Sequence, residues 1–577
     1  MFTADFETTT DIDDCRVWAW AMCEIGNPDN FIYGNSIDTF IKKCSERKNL
    51  TLYFHNLKFD ASFVLWWLLK NGFEYIKDKK EKRDKTFTCL INEMGAFYSM
   101  EIFFKVTKNR VNKVTIYDSL KILNFSVEKI AKDFDLPIRK LDLDYKEKRE
   151  IGHELTKHEI DYIRNDVEIM ARALKICFDM GLTKMTIASD ALHNYKELNK
   201  NFLTYFPDLD YDVDENIRRS YKGGFTYLSP KYKEKEAGRG IVLDVNSLYP
   251  SVMKNEKLPI GEPVWFEGEY KKDLLYPLYV QTLSCSFKIK KDMIPTIQIK
   301  GNLSFIPNEY LEDSHGDIVT LTLTNVDLDL FFKHYDVFDL TYFGGFKFKG
   351  VRGIFNKYID FWSAEKIKAK KEGNGARYLV AKLMMNSLYG KFGANPNVRT
   401  KKPYLSDDDV LKFEYNPREI GKTIYIPVAT FITSYARRKT IETSQAIRDY
   451  TMNKYIKDYY IYSDTDSIHM LYMEADELAK FVDVDDYRLG AWKIESEFIK
   501  GKYLRQKCYI EQSPDGVVHS TIAGLPKKLS KIINFDNFKI GFTTKDYDDE
   551  VEKIGHKLRY KYTKGGVILV DTDFKIK

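Results

Sequence analysis

The hexapeptide Tyr-Ser-Asp-Thr-Asp-Ser at residues 462–467 constrains this chain more than any other segment. It lies between two runs rich in aromatic and branched residues, which predict two strands joined by a tight turn. Asp464 and Asp466 cannot pack in a core as bare charges, whereas a hard divalent cation such as Mg²⁺ prefers carboxylate oxygens. Taken alone, the segment is also compatible with an ordinary acidic hairpin turn.

A second acidic strand end lies far upstream. Residues 240–243 predict a buried strand, Asp244 follows where that strand ends, and a helix is predicted over Leu248–Lys254. Asp244 could cap that helix. Alternatively, carboxylates on adjacent strands can clamp two metal ions about 3.5–4 Å apart, the arrangement used for in-line phosphoryl or nucleotidyl transfer.

A helix is predicted between these two acidic strand ends, over residues 376–388. Lys382, Asn386 and Tyr389 follow one another at i, i+4 and i+7 and therefore share a face. A cation, an amide and an aromatic ring suit a nucleoside triphosphate, although a solvated amphipathic face is the alternative. The lysine-rich run at 366–371 and the break at 373–375 predict a helical hairpin that could close over phosphates.

The N-terminal third contains a second acidic set. Asp5 and Glu7 lie two residues apart on a predicted strand, so they face the same side, and Asp60 follows another strand. Tyr162 and Asp166 share one face of a helix that opens with the capping box at 156–159. The four acids could hold two divalent ions with water as the nucleophile, although each acid alone could be a cap or a surface charge.

Composition alone does not reveal these sites. The net charge is only +5, from 90 basic and 85 acidic residues, so a nucleic-acid partner requires clustered charge. The 7 cysteines form no CxxC or Cys/His pattern, which predicts reduced thiols in a cytosolic setting and no structural zinc. No secretion signal is expected, and the longest apolar run, Phe63–Leu69, is too short to span a bilayer.

The ordered motifs resemble those of family B DNA polymerases. Residues 244–250 resemble motif A (DxxSLYP), residues 382–390 motif B (KxxxNSxYG) and residues 462–467 motif C (YxDTDS), and residues 507–509 resemble the KxY motif. The N-terminal acids resemble the DxE, Nx₂₋₃(F/Y)D and Yx₃D motifs of proofreading 3′–5′ exonucleases. Four motifs in the family's order are far more specific than any one of them.

The resemblance implies a replicative DNA-directed DNA polymerase with a 3′–5′ exonuclease and two Mg²⁺ or Mn²⁺ ions per active site. In the polymerase, Asp244, Asp464 and Asp466 are implied to be catalytic, and the implied metal ligands are Asp244, Val245 and Asp466. Nucleotide contacts are implied for Tyr249, Lys370, Lys382, Asn386 and Tyr389. Tyr249 would exclude a 2′-hydroxyl by packing under the sugar, with core packing as the alternative. Tyr378 occupies a position that relatives fill with lysine, beside Arg377, so the triphosphate contact there is open.

For the exonuclease, the resemblance implies that Asp5, Glu7, Asp60 and Asp166 bind metal, that Tyr162 orients the attacking water and that Lys140 contacts the scissile phosphate. Phe59 suits stacking on an unpaired base. DNA contacts are implied for Thr8, His55, Asn56, Phe59, Ser119, Leu120, Tyr221, Gly223, Gly224, Thr433, Arg437, Lys507 and Tyr509. An ordinary loop at Ser119-Leu120, a strained turn at Gly223-Gly224 and a plain helix surface at Thr433 and Arg437 are the alternatives.

The spacing narrows the resemblance further. The 138 residues from Asp244 to Lys382 exceed what a short helix and a finger hairpin need, so 256–355 is predicted to be a folded insertion. A second insertion is predicted at 394–426. Two such insertions resemble the protein-primed family B polymerases of small bacteriophages with linear genomes. That subfamily implies priming from a terminal protein, processive strand displacement, an otherwise monomeric enzyme and a location in the cytoplasm of the infected bacterium.

We therefore expect a multidomain α/β protein: a ribonuclease H-like exonuclease domain and a right-hand family B polymerase with two insertions. The expected exonuclease domain is 1–184 and the polymerase is 185–577. Within the polymerase the expected parts are the palm at 185–255 and 427–527, insertions at 256–355 and 394–426, fingers at 356–393 and thumb at 528–577. A nuclease with an inactive polymerase half and a non-catalytic DNA-binding replication factor are the competing function classes; intact Asp244 and Asp466 argue against the first, and two complete carboxylate sets against the second.

Overall fold

The structure is a computed structural model that describes residues 1–107, 110–145, 147–298 and 310–577, except for the side chain of Arg110. Part of the first predicted insertion, residues 299–309, therefore lies outside the described residues.

The N-terminal region is a mixed sheet of eight strands flanked by helices. The strands are β1 Phe2–Thr8, β2 Val17–Glu24, β3 Asn27–Gly34, β4 Leu50–Phe54, β5 Glu74–Tyr75, β6 Thr86–Ile91, β7 Phe97–Thr107 and β8 Arg110–Asp118. The helices are α1 Ile37–Glu46, α2 Leu57–Lys70, α3 Val127–Asp133 and α4 Lys157–Asp179. The order is β3-β2-β1-β4-β8-β7-β6-β5, and β4 runs parallel to both β1 and β8.

Both faces of this sheet are covered, which explains why β2 is apolar along nearly its whole length. Seven of its eight residues are buried. One face packs on α1 and α2, and the other packs on α4. A strand buried on both faces reads as a continuous apolar run because neither side meets water.

The central region begins with three helices and the first strands of two further sheets. These elements are α5 Ile187–Leu198, α6 Phe202–Tyr205, α7 Tyr211–Arg218, β9 Thr226–Leu228, β10 Glu236–Ala237, β11 Gly240–Val245 and α8 Leu248–Asn255. The predicted helix after Asp244 is thus confirmed as α8. Its N-cap residue is Ser247 rather than Asp244, so the capping alternative for Asp244 is not what the fold uses.

The predicted first insertion is a folded unit. Its elements are β12 Leu258–Glu267, β13 Leu278–Ile289, β14 Val319–Thr324, α9 Asn325–His334 and β15 Tyr335–Val351. The four strands form an antiparallel sheet in the order β12-β15-β13-β14. Gly345 is needed where β15 crosses β13, because a Cβ there would lie 1.8 Å from the carbonyl oxygen of Val280.

The predicted helical hairpin is confirmed as α10 and α11, and small β-hairpins follow it. These elements are α10 Asn356–Lys371, α11 Gly375–Phe392, β16 Asn397–Val398, β17 Lys401–Leu405, β18 Leu411–Tyr415, β19 Glu419–Ile420 and α12 Ile426–Tyr455. The 30-residue helix α12 is largely buried and packs against α8, α9 and α11. This helix lies at the centre of the packing in the C-terminal two thirds of the chain.

The remaining elements complete the palm sheet and add a C-terminal hairpin. They are β20 Tyr460–Asp464, β21 Ser467–Leu471, α13 Ala475–Leu478, β22 Trp492–Phe498, β23 Lys500–Arg505, β24 Cys508–Gln512, β25 Val518–Ile522, α14 Asp548–Ile554, β26 Lys557–Thr563 and β27 Gly566–Thr572. The palm sheet is antiparallel, in the order β22-β11-β21-β20-β9. A second sheet has the order β10-β23-β24-β25.

Two apolar clusters join the regions. The larger runs from α3 and α4 of the N-terminal region through α10, α11 and α12 to the palm sheet. The other combines the N-terminal sheet and α2 with side chains of the hairpins β17–β18 and β26–β27, such as Leu411 and Ile568. The two acidic sites are therefore fixed within one continuous packing arrangement.

Candidate active sites

The first site lies at the turn between β20 and β21. Asp244 on β11 pairs with Ser467 on β21, and the backbone nitrogen of Val245 donates to the carbonyl oxygen of Asp466 at 2.8 Å. This register brings the upstream carboxylate beside the Asp464–Asp466 turn, across more than 200 residues of sequence. Thr465 at the tip has φ +62°, the left-handed conformation that lets the two flanking acids emerge from one tight turn.

Burial among like charges dominates the electrostatics of this turn. Burial raises the pKa of Asp244 to about 6, with repulsion from Asp466 and Glu495 adding to the shift and Lys493 opposing it. Burial is also the largest cause of the raised pKa of Asp466. Lys493 on β22 forms an ion pair with Asp244 at 3.2 Å. The site thus holds more negative charge than its own side chains neutralise.

Asp464 differs from its neighbours because protein groups surround it. Thr226 and Tyr462 donate hydroxyl hydrogen bonds to its carboxylate at 3.2 and 3.3 Å. The Lys507 ammonium lies 3.6 Å from Oδ2. The backbone of Lys507 also donates to the Tyr462 hydroxyl at 3.0 Å. The KxY segment therefore lies next to the acidic turn. Its position along the chain had not shown this proximity.

The loop at 221–224 supports the same turn. The backbone nitrogen of Thr465 donates to the carbonyl oxygen of Phe225 at 2.7 Å, and a Cβ on Gly224 would lie 2.6 Å from the Thr465 hydroxyl. Gly224 thus permits a close approach between the loop and the turn. Tyr221 reaches the end of α11, where its hydroxyl takes the space that a side chain on Gly393 would need.

Thr433 and Arg437 lie in the interior, not on a surface facing DNA. Thr433 is 1% exposed and donates to backbone carbonyls of its own helix. Arg437 is 4% exposed, pairs with Asp327 of α9 at 2.6 Å, and donates to the carbonyl oxygens of Lys222 and Gly223 at 2.8 Å. Arg437 instead contacts the 221–224 loop, so the structure corrects the expected placement of both residues on a surface facing DNA, and the alternative of a plain helix surface does not apply either.

The helix α11 presents its predicted polar face toward the acidic turn. Lys382 and Asn386 are exposed and Tyr389 is half-buried, while Met384, Met385 and Leu388 are buried. The charge of Lys382 lowers the pKa of Asp466, against the larger effect of burial. Tyr389 stacks on Tyr249 with ring centroids 4.1 Å apart. Of the predicted nucleotide-binding residues, Lys382, Tyr249 and Tyr389 therefore lie close enough to interact electrostatically with Asp466.

Lys366 and Lys493 extend the basic side of this site. Burial, followed by the nearby charges of Lys382, Lys493 and Lys370, lowers the pKa of Lys366. Lys370 is exposed at the end of α10, and Lys366 lies 6.0 Å from the ring of Tyr378. Sequence reasoning noted Lys366 only as part of a basic run and missed Lys493 entirely. A lysine on the strand next to Asp244 gives no signal until the register of β22 is known.

Tyr509 belongs to a buried aromatic group beneath the turn. Its ring lies 5.4 Å from Tyr462, 5.5 Å from Tyr503 and 4.9 Å from His469. His469 and Tyr503 both bond to the carboxylate of Glu511. This packing fixes β24, which carries Tyr509 and begins directly after Lys507.

The second site forms on the N-terminal sheet. Asp5, Glu7 and Asp166 each place a carboxylate oxygen within 4.8 Å of the other two. The strand β1 supplies the first two from one face, and α4 supplies the third after the capping box that the sequence predicted. Asp60, on α2, adds a carboxylate whose pKa is raised by burial and by Asp5. All four predicted acids therefore converge.

The pKa values of these acids are raised. Burial raises the pKa of Asp5 to about 7, Asp166 adds repulsion and Lys140 opposes it. Burial likewise raises the pKa of Glu7 well above its ordinary value. Lys140 forms an ion pair with Asp166, and its ammonium lies 5.2 Å from the Tyr162 ring. The Tyr162 hydroxyl contacts that of Tyr145, a residue that sequence reasoning did not single out.

The donor set fits divalent cations. Oδ1 of Asp60 and Oδ1 of Asp166 are buried and have no hydrogen-bond partner within the described part of the chain. A buried carboxylate oxygen without a donor is costly, and a cation removes that cost. The same cation would relieve the repulsion among the four acids. Oxygen-only ligands are those that Mg²⁺ and Mn²⁺ accept.

The predicted strand-gripping residues surround this site in two ways. Asn56 is exposed, and Phe59, Thr8 and Leu120 are partly exposed, so their side chains border open space. His55 instead contacts the Ser119 hydroxyl at 3.0 Å and the carbonyl oxygen of Phe125 at 2.6 Å, and burial lowers its pKa. Ser119 is 1% exposed. His55 and Ser119 are thus held by contacts within the protein.

Comparison with known proteins places these two sites in one family. The family model described as DNA polymerase type B, organellar and viral, matches residues 41–482. The DNA polymerase of Bacillus phage Nf is 45% identical over 100% of this chain and 99% of the relative. The solved ternary complex of phi29 DNA polymerase with primer-template DNA and incoming nucleotides is 42% identical and superposes with a TM-score of 0.91 over 100% of both chains. The single-stranded DNA complex of that polymerase gives 41% identity and the same TM-score and coverage.

The fold is that of a polymerase with an attached exonuclease, and the chain belongs to the organellar and viral type B DNA polymerase family. The expected fold class and the resemblance to small-phage family B polymerases are confirmed. The chain is accordingly a DNA-directed DNA polymerase with a 3′–5′ exonuclease, acting in DNA replication. Among the described residues no helix is long and apolar enough to traverse a bilayer.

Proposed function

We propose that the palm turn is the nucleotidyl-transfer centre, with Asp244, Asp464 and Asp466 as its carboxylates. The observation that carries this is the register that sets Asp244 beside Ser467, with Lys382 facing the same acids. Asp244, the backbone of Val245 and Asp466 would hold two Mg²⁺ or Mn²⁺ ions. When bound, such ions lower the pKa of an attacking hydroxyl and neutralise charge on a leaving pyrophosphate.

The chain's own residues would bind and orient the incoming nucleotide. Lys370 and Lys382, joined by Lys366, provide the positive charge that a triphosphate needs, and Asn386 lies on the same helix face. Tyr249, held by stacking on Tyr389, would pack against the sugar and leave no room for a 2′-hydroxyl. Lys507 and Tyr509 would hold the primer end, with Tyr221, Gly223 and Gly224 behind the turn.

The N-terminal site is proposed as the exonuclease centre. Asp5, Glu7, Asp60 and Asp166 would hold two divalent ions, Tyr162 would orient the attacking water and Lys140 would contact the scissile phosphate. Thr8, Asn56, Phe59 and Leu120 would grip the unpaired strand, with His55 and Ser119 shaping the groove beneath them. Arg437 would influence DNA through the 221–224 loop, whose carbonyl oxygens it contacts. Thr433, buried on the same helix, would act on DNA only indirectly.

We assign the parts of the chain as follows: exonuclease 1–184, palm 185–255 and 427–527, insertions 256–355 and 394–426, fingers 356–393 and thumb 528–577. The helical hairpin α10–α11, the separate sheet of the first insertion and the hairpins of the second support these divisions.

DNA template, primer and deoxynucleotides are the proposed partners, because the similar phi29 polymerase was solved with primer-template DNA and incoming nucleotides. The two insertions support protein-primed initiation on a terminal protein, followed by processive, strand-displacing synthesis by a monomer. The enzyme would act in the cytoplasm of an infected bacterium.

Matched carboxylate variants test both site assignments. Asp244→Ala should abolish primer extension with Mg²⁺ and dNTPs while preserving degradation of a labelled single strand. Asp166→Ala should do the reverse. Mutagenesis of groups that act at the chemical step commonly costs at least about 10²-fold in rate. Normal primer extension by Asp244→Ala would show that the palm assignment is wrong.

A further inference from the structure

The C-terminal hairpin β26–β27 is seated directly on the exonuclease domain. A Cβ on Gly565 would lie 2.0 Å from the carbonyl oxygen of Cys15, and one on Gly566 would lie 2.5 Å from the ring of Phe63. Val567 and Ile568 are buried in the core that contains α2. The hairpin is thus held closely enough to place individual side chains against the exonuclease groove.

Tyr560 is the side chain that reaches the groove. Its hydroxyl accepts a hydrogen bond from Nδ2 of Asn56 at 3.1 Å, and its ring lies 6.2 Å from that of Phe59. The Lys58 ammonium lies 4.9 Å from the same ring. Tyr560 therefore lies against three residues, Asn56, Lys58 and Phe59, of the segment that leads to Asp60.

Contacts from Tyr560 help to orient the side chains of Asn56 and Phe59, because the backbone of their own segment does not set those orientations. Asn56 has φ +74°, a left-handed conformation, and its amide side chain is exposed. Its backbone is tied to Asp118 at 3.1 Å, while its side chain bonds to Tyr560. Phe59 is only partly buried, with Phe63 on one side and Tyr560 on another.

We propose that Tyr560 is a positioning residue of the exonuclease, holding the Asn56 amide and the Phe59 ring in the arrangement that grips an unpaired 3′ end. This rests on the proposed strand-binding roles of Asn56 and Phe59. A stacking ring that is already immobilised loses less freedom when a base packs on it. The amide is likewise oriented before the strand arrives. Tyr560 therefore acts on binding of the single strand and not on phosphodiester cleavage.

Tyr562 provides a matched control on the same strand. It is also a partly buried tyrosine of β26, but its ring packs on Phe413 at 5.5 Å and its hydroxyl bonds to Ser62. Tyr562 belongs to the same hairpin, packed against the exonuclease domain, but it lacks the contacts with Asn56 and Phe59. If both substitutions merely disturbed the hairpin, KM would rise equally in the two variants. The proposed role predicts a rise in KM for the Tyr560 variant alone.

The experiment measures KM and kcat for degradation of a single-stranded oligonucleotide by the full chain, with 2-aminopurine at the 3′ terminus as a stacking probe. Tyr560→Ala should raise KM about tenfold, the scale of one base stacked on a ring, and leave kcat within about twofold. It should also weaken 2-aminopurine quenching. Tyr560→Phe keeps the ring and should raise KM about threefold, through the lost hydrogen bond. Extension of a fully paired primer should be unchanged.

A wild-type KM in Tyr560→Ala, or an equal rise in Tyr562→Ala, overturns the proposal. If Tyr560→Ala proves unfolded by its melting temperature, a wild-type KM in Tyr560→Phe overturns the role of the hydroxyl. Asp166→Ala separates the two levels of inference. If it retains degradation, the exonuclease site itself is misassigned; if it loses degradation while Tyr560→Ala behaves as wild type, only the role of Tyr560 fails.

Discussion

At the scale of single residues, the two sites are built from carboxylates that the protein alone stabilises poorly. Carboxylate oxygens of Asp5, Glu7 and Asp166 lie within 4.8 Å of one another, and Lys140 forms an ion pair with Asp166. A folded chain tolerates such an arrangement where function requires it, because strain at a site is compensated by packing elsewhere. The consequence is a stability that depends on pH and on divalent ions.

The pKa of Asp5 predicts that dependence. Its pKa is near 4 in the unfolded chain and about 7 in the fold, so between these values the folded state binds more protons. The stability of the metal-free protein should therefore fall as pH rises from 4 to 7. Asp5→Asn should stabilise it at pH 8 in EDTA by about 1–3 kcal/mol, and the gain should vanish near pH 4.

Denaturant unfolding at both pH values measures this effect. Asp13→Asn, on the exposed surface, serves as the control and should change little. Saturating Mg²⁺ should stabilise the wild type more than Asp5→Asn. A loss of stability in Asp5→Asn at pH 8 would contradict the account of repulsion at this site.

At the scale of elements, buried polar pairs fix the helices around the palm turn. Arg437 on α12 joins Asp327 on α9 to the carbonyl oxygens of the 221–224 loop, which in turn supports Thr465. Although burial opposes it, the Arg437 guanidinium lowers the pKa of Asp327. The first insertion is thereby connected to the acidic turn at 464–466 through one side chain.

Breaking this pair should be costly. Arg437→Ala leaves the Asp327 carboxylate buried without its partner, and we expect a loss of about 3–5 kcal/mol in the free energy of unfolding. The neighbouring Arg438 forms a more exposed pair with Glu256 at 3.5 Å, so Arg438→Ala should cost about 1 kcal/mol or less. Urea unfolding compares the two variants, and equal losses would count against the coupling role of Arg437.

At the scale of the whole molecule, the two active regions share their apolar packing. Ile130, Leu174 and Cys177 of the exonuclease region are buried in the cluster that also contains Val380 of α11 and Ile432 of α12. Leu411 of the second insertion and Ile568 of the C-terminal hairpin are buried in the exonuclease core. The regions differ in chemistry, but their cores do not end at the proposed boundaries.

This sharing predicts cooperative unfolding. The full chain should melt in a single main calorimetric transition, because unfolding of either region would expose apolar side chains in the core of the other region. A fragment of residues 1–184 should be less stable than the same region in the full chain and should bind a hydrophobic dye. Two well-separated transitions, or a fragment as stable as the full chain, would contradict this expectation.

Local patterns in the sequence predicted much of the architecture. The apolar spacing of 376–388 predicted α11 with its face of Lys382, Asn386 and Tyr389, and the capping box at 156–159 predicted the start of α4. The aromatic and branched residues on both sides of Asp464 and Asp466 predicted the hairpin β20–β21. These features depend on contacts within a few residues, which sequence periodicity records directly.

Long-range register was beyond local patterns. The pairing of β22 with β11 places Lys493 beside Asp244, and the burial of Arg437 against Asp327 depends on helices from separate regions. The docking of Tyr560 against Asn56 joins residues 504 positions apart. No local spacing encodes such contacts, because they arise when whole elements pack.

The sequence by itself therefore determined where the charged and aromatic residues lie and which short segments form strands or helices. The order of its motifs also determined the family. The tertiary structure alone decided which side chains meet. It placed the DNA-binding candidates Thr433 and Arg437 inside the core, and it brought the C-terminal hairpin to the exonuclease groove. The physical reason is that burial and the approach of like charges are properties of the packed chain and not of any short segment.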